Sequence, residues 1–269
     1  MIQEAMIPTD TIDMLEATWH SLSDLGARLT EAQWKTSTDL PGWTVQDNLA
    51  HLVGIERTLQ GLPRTEHRAE PRDYVKNPMG ESNEHEVDAR RHLPGADVLH
   101  EWNELIALRL TTLRTADAAY FAQDAMTPTG PGTLADFLHI RVLDSWLHEQ
   151  DMRRAVGQPG NLSGAAAEHT VDRLIRTIPI VVGKRAGAPE GGAVVIDITG
   201  GVQRHVVAEV QGGRAALVAA PTVPPLATIT LDAEAFVVLA TGRRTEADAA
   251  VTGDHELAHS VLSQLNMMI

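Results

Sequence analysis

Apolar residues recur at helical spacing through the first half of the chain. The recurrence predicts four long helices, over residues 9–33, 44–61, 96–119 and 133–156. Thr9 or Asp10 can cap the first of them. Residues 62–95 are polar and hold several Pro and His residues, so we expect a long connection there, with short helical turns. Four long helices with one long connection predict a four-helix bundle.

The second half of the chain changes from helical to strand-like periodicity. A helix is expected over 161–185, and short apolar runs then predict four strands, over 193–198, 205–210, 215–218 and 227–231. Gly200-Gly201 is typical of a hairpin connection between the first two, and two helices follow, over 232–242 and 255–266. The Gly/Pro cluster at 157–160 predicts a boundary between an all-α domain, 1–160, and an α+β domain, 161–269.

The net charge of the chain limits the kinds of molecule that it is expected to bind. The 269-residue chain has 36 acidic and 22 basic residues, a formal net charge of −14, which disfavours nucleic acid and anionic membranes as partners. The first residues, MIQEAMIPTDTIDMLEATW, carry acids in place of the basic and apolar segments of a secretion signal. A cytoplasmic protein that does not bind membranes is the expectation.

The chain contains no cysteine. Disulfides, thiolate metal sites and cysteine nucleophiles are therefore excluded. Any thiol chemistry must use a thiol that arrives as a substrate, and any transition-metal site must be built from His, Asp and Glu.

The second predicted helix begins with the stretch PGWTVQDNLAHL. Thr44 and Asp47 have the spacing of a capping box, which assigns Asp47 a structural role at the helix N-terminus. His51 lies one turn further on, beside the apolar stripe of the helix. Taken alone, His51 is compatible with a buried core histidine as well as with a metal ligand.

The fourth predicted helix carries an acid and a histidine one turn apart. Asp144 and His148 project from one face, a spacing that lets a carboxylate and an imidazole share a cation. A simple ion pair between Asp144 and His148 is the alternative. If the bundle brings His51 to this pair, three protein ligands leave a fourth position open, which is the catalytic pattern of zinc.

Three segments resemble the mycothiol-dependent maleylpyruvate isomerase family. They are PGWTVQDNLAHLVG, RVLDSWLHEQDMRRAVGQP and the C-terminal run LDAEAFVVLATGRRTEADAAVTGDHELAHSVLSQLNMMI. The resemblance implies an α plus α+β architecture. A DinB-like four-helix bundle would come first, followed by a C-terminal α/β domain like that of sterol carrier proteins.

The same resemblance implies a site and a chemistry. His51, Asp144 and His148 would hold zinc or another divalent metal, with Asp144 standing where relatives often have glutamate. Mycothiol, the low-molecular-weight thiol of actinobacteria, would bind the metal in a cleft against the second domain. It would then add to a small electrophilic substrate, as an isomerase or an S-transferase. Arg243 or Arg244 would engage a carboxylate of that substrate.

Two other functions fit the same residues. A non-catalytic regulatory or small-molecule-binding protein could keep the bundle for its shape, and a metal hydrolase could use water in place of a thiol. Metal content and dependence on an added thiol distinguish the three.

The remaining polar and aromatic residues have structural interpretations. Trp43 fits a hydrophobic staple beside the helix cap, and His139 a structural role. We expect solvated helix faces for the flanking charges, with Arg141 also able to pair with an acid near the metal; these charges are Arg141, Glu149, Asp151, Arg153 and Arg154. The irregularly spaced histidines in or near the long connection are expected to be loop residues: His67, His85, His92 and His100.

Overall fold

The computed structural model describes residues 6–268, and the chain divides into two compact units between Gly160 and Asn161. Residues 1–5 and 269, which belong to the N-terminal stretch and the C-terminal run considered above, lie outside the described residues. The combination of a helical N-terminal region with a sheet-and-helix C-terminal region is as predicted from the sequence.

The first unit is helical, with a small hairpin before its last helix. Its helices are α1 Thr9–Gly26, α2 Glu31–Trp34, α3 Val45–Leu59, α4 Pro78–Asp88, α5 Gly95–Thr115, α6 Ala118–Phe121 and α7 Leu134–Val156. The hairpin consists of β1 Asp124–Thr127 and β2 Gly130–Thr133. Helices α1 and α3 each pack against both α5 and α7, so the four long helices form a bundle.

The interior of the bundle is built on large apolar side chains from all four long helices. Trp19 of α1 and Trp102 of α5 are fully buried and meet edge to face, with ring centroids 6.0 Å apart. The Trp19 indole donates a hydrogen bond to Ser145 of α7 over 3.2 Å, so its polar atom is satisfied inside the core. Each large apolar side chain buried in this way stabilises the fold by about 1.5–3 kcal/mol.

The two helices that carry the sequence motifs begin as their sequences predict. Thr44 caps α3, accepting from the Asp47 amide, while the Asp47 carboxylate accepts from the Thr44 amide over 2.8 Å. Helix α7 begins with an equivalent box formed by Thr133 and Asp136. It ends at Gly157, whose φ of 65° is the left-handed conformation that glycine adopts without strain.

The structure of this unit differs from the predictions in four details. The first predicted helix ends at Gly26, and neither Thr9 nor Asp10 caps it, because Pro8 occupies the N-cap position. The connection over 62–95 contains the three-turn helix α4, and the hairpin before α7 was not predicted. Helix α4 buries mainly charged side chains, so it lacks the apolar stripe by which helices are identified in a sequence.

The second unit is a mixed five-stranded sheet with helices. The helical segments α8 Ala165–Ile175 and α9 Ile178–Ile180 lead into a π-helical turn, Val181–Arg185. The strands are β3 Ala193–Thr199, β4 Arg204–Gln211, β5 Arg214–Val218, β6 Ala227–Asp232 and β7 Ala250–Gly253, in the order β5-β4-β3-β6-β7. Strand β3 pairs antiparallel with β4 and parallel with β6, and helices α10 Ala233–Ala240 and α11 His255–Ser263 follow β6 and β7.

The four predicted strands of this unit are confirmed, as is the hairpin at Gly200-Gly201. The helix expected over 161–185 begins only at Ala165 and is interrupted before Ile178. Strand β7 was missed because it is four residues long and mostly exposed, without an apolar alternation. Within the described part of the chain, no helix is long and apolar enough to span a bilayer.

Candidate metal centre

His51 of α3 and Asp144 and His148 of α7 come together in the first unit. His51 Nε2 lies 3.4 Å from Asp144 Oδ2, and His148 Nε2 lies 3.6 Å from Asp144 Oδ1. One ligand atom from each of the three residues lies within 4.8 Å of the others. Both histidines are buried, whereas the Asp144 side chain is 25% exposed, so the cluster is reached through its carboxylate side.

Local sequence explains why these side chains converge. The capping box fixes where α3 begins, so His51 lies in the second turn of that helix. Asp144 and His148 lie one turn apart on α7, which packs directly against α3. The two imidazole rings therefore approach to a centroid distance of 4.6 Å.

Asn48 determines which nitrogen of His148 faces the cluster. The Asn48 amide group donates to the Thr44 carbonyl over 2.9 Å, so its oxygen, Oδ1, is free to accept. That oxygen lies 2.7 Å from His148 Nδ1, which must therefore carry the proton. Nε2 of His148 is therefore the ring nitrogen that faces Asp144 and is available to a metal.

Trp43 forms one wall of the cluster. Its ring lies 5.2 Å from that of His51 and 5.9 Å from that of His148, between centroids. The indole nitrogen donates to Glu84 of α4 over 3.0 Å, and Tyr74 donates to the other oxygen of the same carboxylate over 2.8 Å. The connection between α3 and α5 thus holds this wall in place, and Trp43 does more than the predicted staple.

Arg141 anchors the acid of the cluster. Its guanidinium donates to Asp144 Oδ2 over 2.5 Å through Nη1 and to Glu56 Oε1 over 2.8 Å through Nε. Glu56 is fully buried on α3, and its second oxygen accepts from Arg109 of α5 over 3.0 Å. The predicted pairing of Arg141 with an acid of the candidate site is confirmed, but its predicted solvated position is wrong, because it is 1% exposed.

The charges around the cluster set its protonation. Burial alone would raise the pKa of Asp144, but Arg141 and the two histidines outweigh it and hold that pKa well below its ordinary value. Burial lowers the pKa of His51 to about 4, against the opposing attraction of Asp144. At neutral pH the cluster therefore combines an ionised carboxylate with a neutral His51, both in the form that binds a cation.

The donor set fits a divalent transition metal. Two imidazole nitrogens and a carboxylate oxygen are ligands that zinc accepts. One such atom from each of the three residues lies within 4.8 Å of the others, so a single ion could contact all three. Among the described residues, Nδ1 of His51 is buried without a hydrogen-bond partner, and the other ring nitrogen, Nε2, faces Asp144. This is the one group of three or more potential metal ligands in the described part of the chain.

Several charged residues of α7 are buried, contrary to the sequence prediction. Glu149 and Asp151 are 0% and 1% exposed. Arg153 donates to Glu149 over 2.7 Å, and Arg154 pairs with Asp151 and, over 3.0 Å, with Asp39. Periodicity treats such charges as solvated, but partners one turn away on the same helix satisfy them inside the unit.

The other histidines do not join the cluster. His67 pairs with Asp88 at 2.7 Å, His85 accepts from the Ala69 amide over 3.2 Å, and His100 lies on the exposed surface of α5. His85 lies on α4 and His100 on α5, so the assignment of these two residues to loops was wrong. His139 lies 3.4 Å from the Thr11 hydroxyl, a contact between α7 and α1 that fits its predicted structural role.

Arg243 and Arg244 lie in the second unit, directly after α10. The amides of both donate to the Val238 carbonyl, over 2.9 and 3.2 Å, and Gly242 before them has a φ of 67°. The backbone is thus fixed where the two side chains leave it. Their contact with a substrate stays a prediction.

Sequence reasoning missed the residues that support the cluster. Asn48 precedes His51 by three positions, so helical spacing alone would have placed the two on one face. Glu56 and Arg109 interrupt apolar stripes, which is the mark of a buried charge pair, but the sequence does not say which charges pair.

The lowered pKa of His51 predicts a pH dependence of stability in the metal-free protein. Between the ordinary histidine pKa of 6.5 and about 4, the unfolded chain binds a proton at residue 51 that the folded chain does not. The free energy of unfolding should therefore fall as the pH decreases from about 6.5 to about 4. Denaturant titrations at several pH values should show a smaller decrease in His51→Gln; an identical decrease in both proteins would contradict the assignment.

Comparisons with known proteins agree with this architecture. The description "mycothiol maleylpyruvate isomerase N-terminal domain" belongs to a family model that matches residues 15–153, and the matching C-terminal domain model covers residues 168–260. A comparison with curated proteins gives no match.

Two solved structures share the fold. One is a histidine-to-alanine mutant of the mycothiol-dependent maleylpyruvate isomerase, at 16% identity and a TM-score of 0.57. The other is the mycothiol-dependent maleylpyruvate isomerase without a stated mutation, at 15% identity and a TM-score of 0.55. Each alignment covers 92% of this chain and 93% of the other. Since the family models cover more than half of it, this chain belongs to the mycothiol maleylpyruvate isomerase family.

Proposed function

We propose that the protein is a metal-dependent enzyme that uses mycothiol as a thiol substrate. The observation that carries the proposal is the convergence of His51, Asp144 and His148, whose ligand atoms lie within 4.8 Å of one another. Family membership supports mycothiol as the thiol, and the donor set supports zinc as the metal. In this proposal residues 1–160 form the metal-binding domain.

The residues of the cluster would divide the work of holding the metal. Both histidines would contribute Nε2, and Asp144 would contribute an anionic oxygen that offsets part of the charge of the ion. The hydrogen bond to Asn48 holds the His148 ring in the tautomer this requires. A divalent ion bound here would supply one function, which is to lower the pKa of a coordinated thiol so that the thiolate forms at neutral pH.

The reaction we propose is addition of this thiolate to an electrophilic carbon. In isomerisation, a sulfur–carbon bond forms at a cis double bond, the former double bond rotates, and loss of the same thiolate restores the double bond in the trans form. In S-transfer, the sulfur–carbon bond is kept, and the neighbouring carbon, which receives the electron pair of the double bond, takes up a proton from solvent. Trp43 closes one side of the cluster with an apolar surface, which reduces the access of water to the thiolate.

Arg243 or Arg244 would bind a carboxylate of the electrophile. A guanidinium matches a carboxylate with two parallel hydrogen bonds, and the family resemblance implies an arginine from this segment. Substitution of the arginine that has this role should weaken the binding of an anionic substrate without changing the metal content.

The metal site makes a prediction about composition. The purified protein should contain about one divalent ion per chain, and His51→Ala and His148→Ala should lose it, because two ligands cannot hold the ion tightly. His139→Ala is the matched control, since His139 lies on α7 outside the cluster and should leave the metal content unchanged. Elemental analysis after dialysis measures this; wild-type protein without stoichiometric metal would favour a non-catalytic binding function.

The reaction makes a second prediction. Metal-loaded protein incubated with mycothiol and a panel of electrophiles, maleylpyruvate included, should give an isomer or a thiol adduct, identified by mass spectrometry. His51→Ala should lower the rate by about 100-fold or more, as expected when a group that activates the nucleophile is removed. Arg243→Met or Arg244→Met should raise KM for a carboxylated substrate. Hydrolysis product formed without any thiol would identify a metal hydrolase and contradict the proposal.

A further inference from the structure

Glu56 is a carboxylate with no exposure to solvent, and it is shared between two arginines. Arg141 of α7 donates to Oε1 over 2.8 Å and Arg109 of α5 donates to Oε2 over 3.0 Å. The side chains of both arginines are buried as well, at 2% and 0% exposure. A charge in this setting is retained only when it is closely paired, so each contact restricts where the next group lies.

Arg141 reaches two carboxylates with different nitrogens. While Nε is held by Glu56, Nη1 donates to Oδ2 of Asp144 over 2.5 Å. The guanidinium is planar and rigid, so fixing Nε at Glu56 also fixes the direction in which Nη1 points. A lysine has one charged nitrogen on a flexible stem and does not reproduce this fixed pair of bonds.

The contact with Asp144 bears directly on the cluster. Arg141 holds Oδ2, and Oδ1 of the same carboxylate faces His148 Nε2 at 3.6 Å. The Asp144 side chain is 25% exposed, so packing restrains it less than it restrains the two histidines. His51 Nε2 also faces Oδ2, at 3.4 Å, but the contact with Arg141 is the shortest, so the orientation of this carboxylate depends mainly on Arg141.

The negative charge of Glu56 also affects the electrostatics of the metal site. A guanidinium beside a metal site repels the incoming cation, and this repulsion is strong where water is excluded. Glu56 offsets part of the charge of Arg141, so that Arg141 can orient Asp144 with a smaller penalty. Arg109 then pairs with the remaining oxygen of Glu56, which completes an alternating series of two positive and two negative side chains ending at Asp144.

We infer that Arg141 is a positioning residue for the metal ligand Asp144, and that Glu56 keeps Arg141 in place and offsets its charge. The inference rests on the proposed function, because it presupposes that the cluster binds a metal. The roles of Glu56 and Arg141 can be tested by measuring the affinity of the protein for a metal ion, without an assay of enzyme turnover.

The test uses Co²⁺ alone as the probe, titrated into metal-free protein and followed by its visible d–d absorption. Arg141→Lys and Glu56→Gln should each raise the Kd for Co²⁺ by about 10–100-fold, as is typical when a group that orients a metal ligand is removed. The absorption of the Arg141→Lys complex should also change in shape, because the carboxylate no longer has a fixed orientation.

Arg153→Lys is the matched control. Arg153 is also a buried arginine of α7 and donates through Nε to a buried carboxylate, Glu149, over 2.7 Å. This substitution should lower thermal stability as Arg141→Lys does, but it should leave the Kd for Co²⁺ unchanged. If the role of Arg141 were only structural, Arg141→Lys would lower thermal stability and leave the Kd for Co²⁺ unchanged.

The outcomes separate the inference from the proposed function. Circular dichroism gives the folded fraction of each variant, and the Kd for Co²⁺ is corrected for that fraction. If either Arg141→Lys or Glu56→Gln does not fold, the other variant provides the test. Wild-type affinity in the folded variants, or an equal loss in Arg153→Lys, would overturn the role of Arg141 while leaving the metal site intact. Failure of the wild-type protein to bind Co²⁺ would overturn the proposed function, and this inference with it.

Discussion

Four charged side chains, Arg109, Glu56, Arg141 and Asp144, alternate in sign across helices α5, α3 and α7. Loss of one partner from a buried pair typically costs about 3–5 kcal/mol, because the other charge is left without compensation. The series therefore constrains how the three helices pack. Buried ion pairs add little net stability, because desolvation of the charges offsets their attraction, so the stability of the fold comes from the apolar core. Its last member is also the acid of the candidate metal centre.

The chemistry of the centre follows from this arrangement. Burial opposes ionisation of Asp144, but Arg141 outweighs it and keeps the carboxylate ionised, whereas burial lowers the pKa of His51 and leaves its ring neutral at neutral pH. An anionic oxygen and two imidazole nitrogens then lie within 4.8 Å of one another, an arrangement that a divalent cation stabilises. In the proposed function, the thiol at the remaining metal position comes from mycothiol, because a chain without cysteine has no thiolate of its own.

The sequence was sufficient where a local rule determines the structure. The boxes that begin α3 and α7, the left-handed Gly157 and the four strands of the second unit follow from local chemistry and periodicity. The spacing of Asp144 and His148 likewise predicts that they share a face of α7, and in the structure His51 of α3 lies against that face.

The sequence was insufficient where partners come from distant parts of the chain. Helix α4 has few apolar residues to reveal it, yet through Glu84 it fixes Trp43 against the two histidines. Glu149 and Asp151 appear solvated by their charge alone, and they are buried because arginines one turn further along α7 neutralise them. Which buried acid meets which arginine depends on helix packing, which no short sequence window encodes.

The central claim is that this cluster presents a metal to a thiol, and one spectrum tests it most directly. Mycothiol titrated into Co²⁺-loaded protein should produce a sulfur-to-cobalt charge-transfer absorption that saturates at about one thiol per metal, because three protein ligands leave one position for the sulfur. Prior loss of the metal through His51→Ala should abolish that absorption. A cobalt spectrum that does not change at saturating mycothiol would contradict the account.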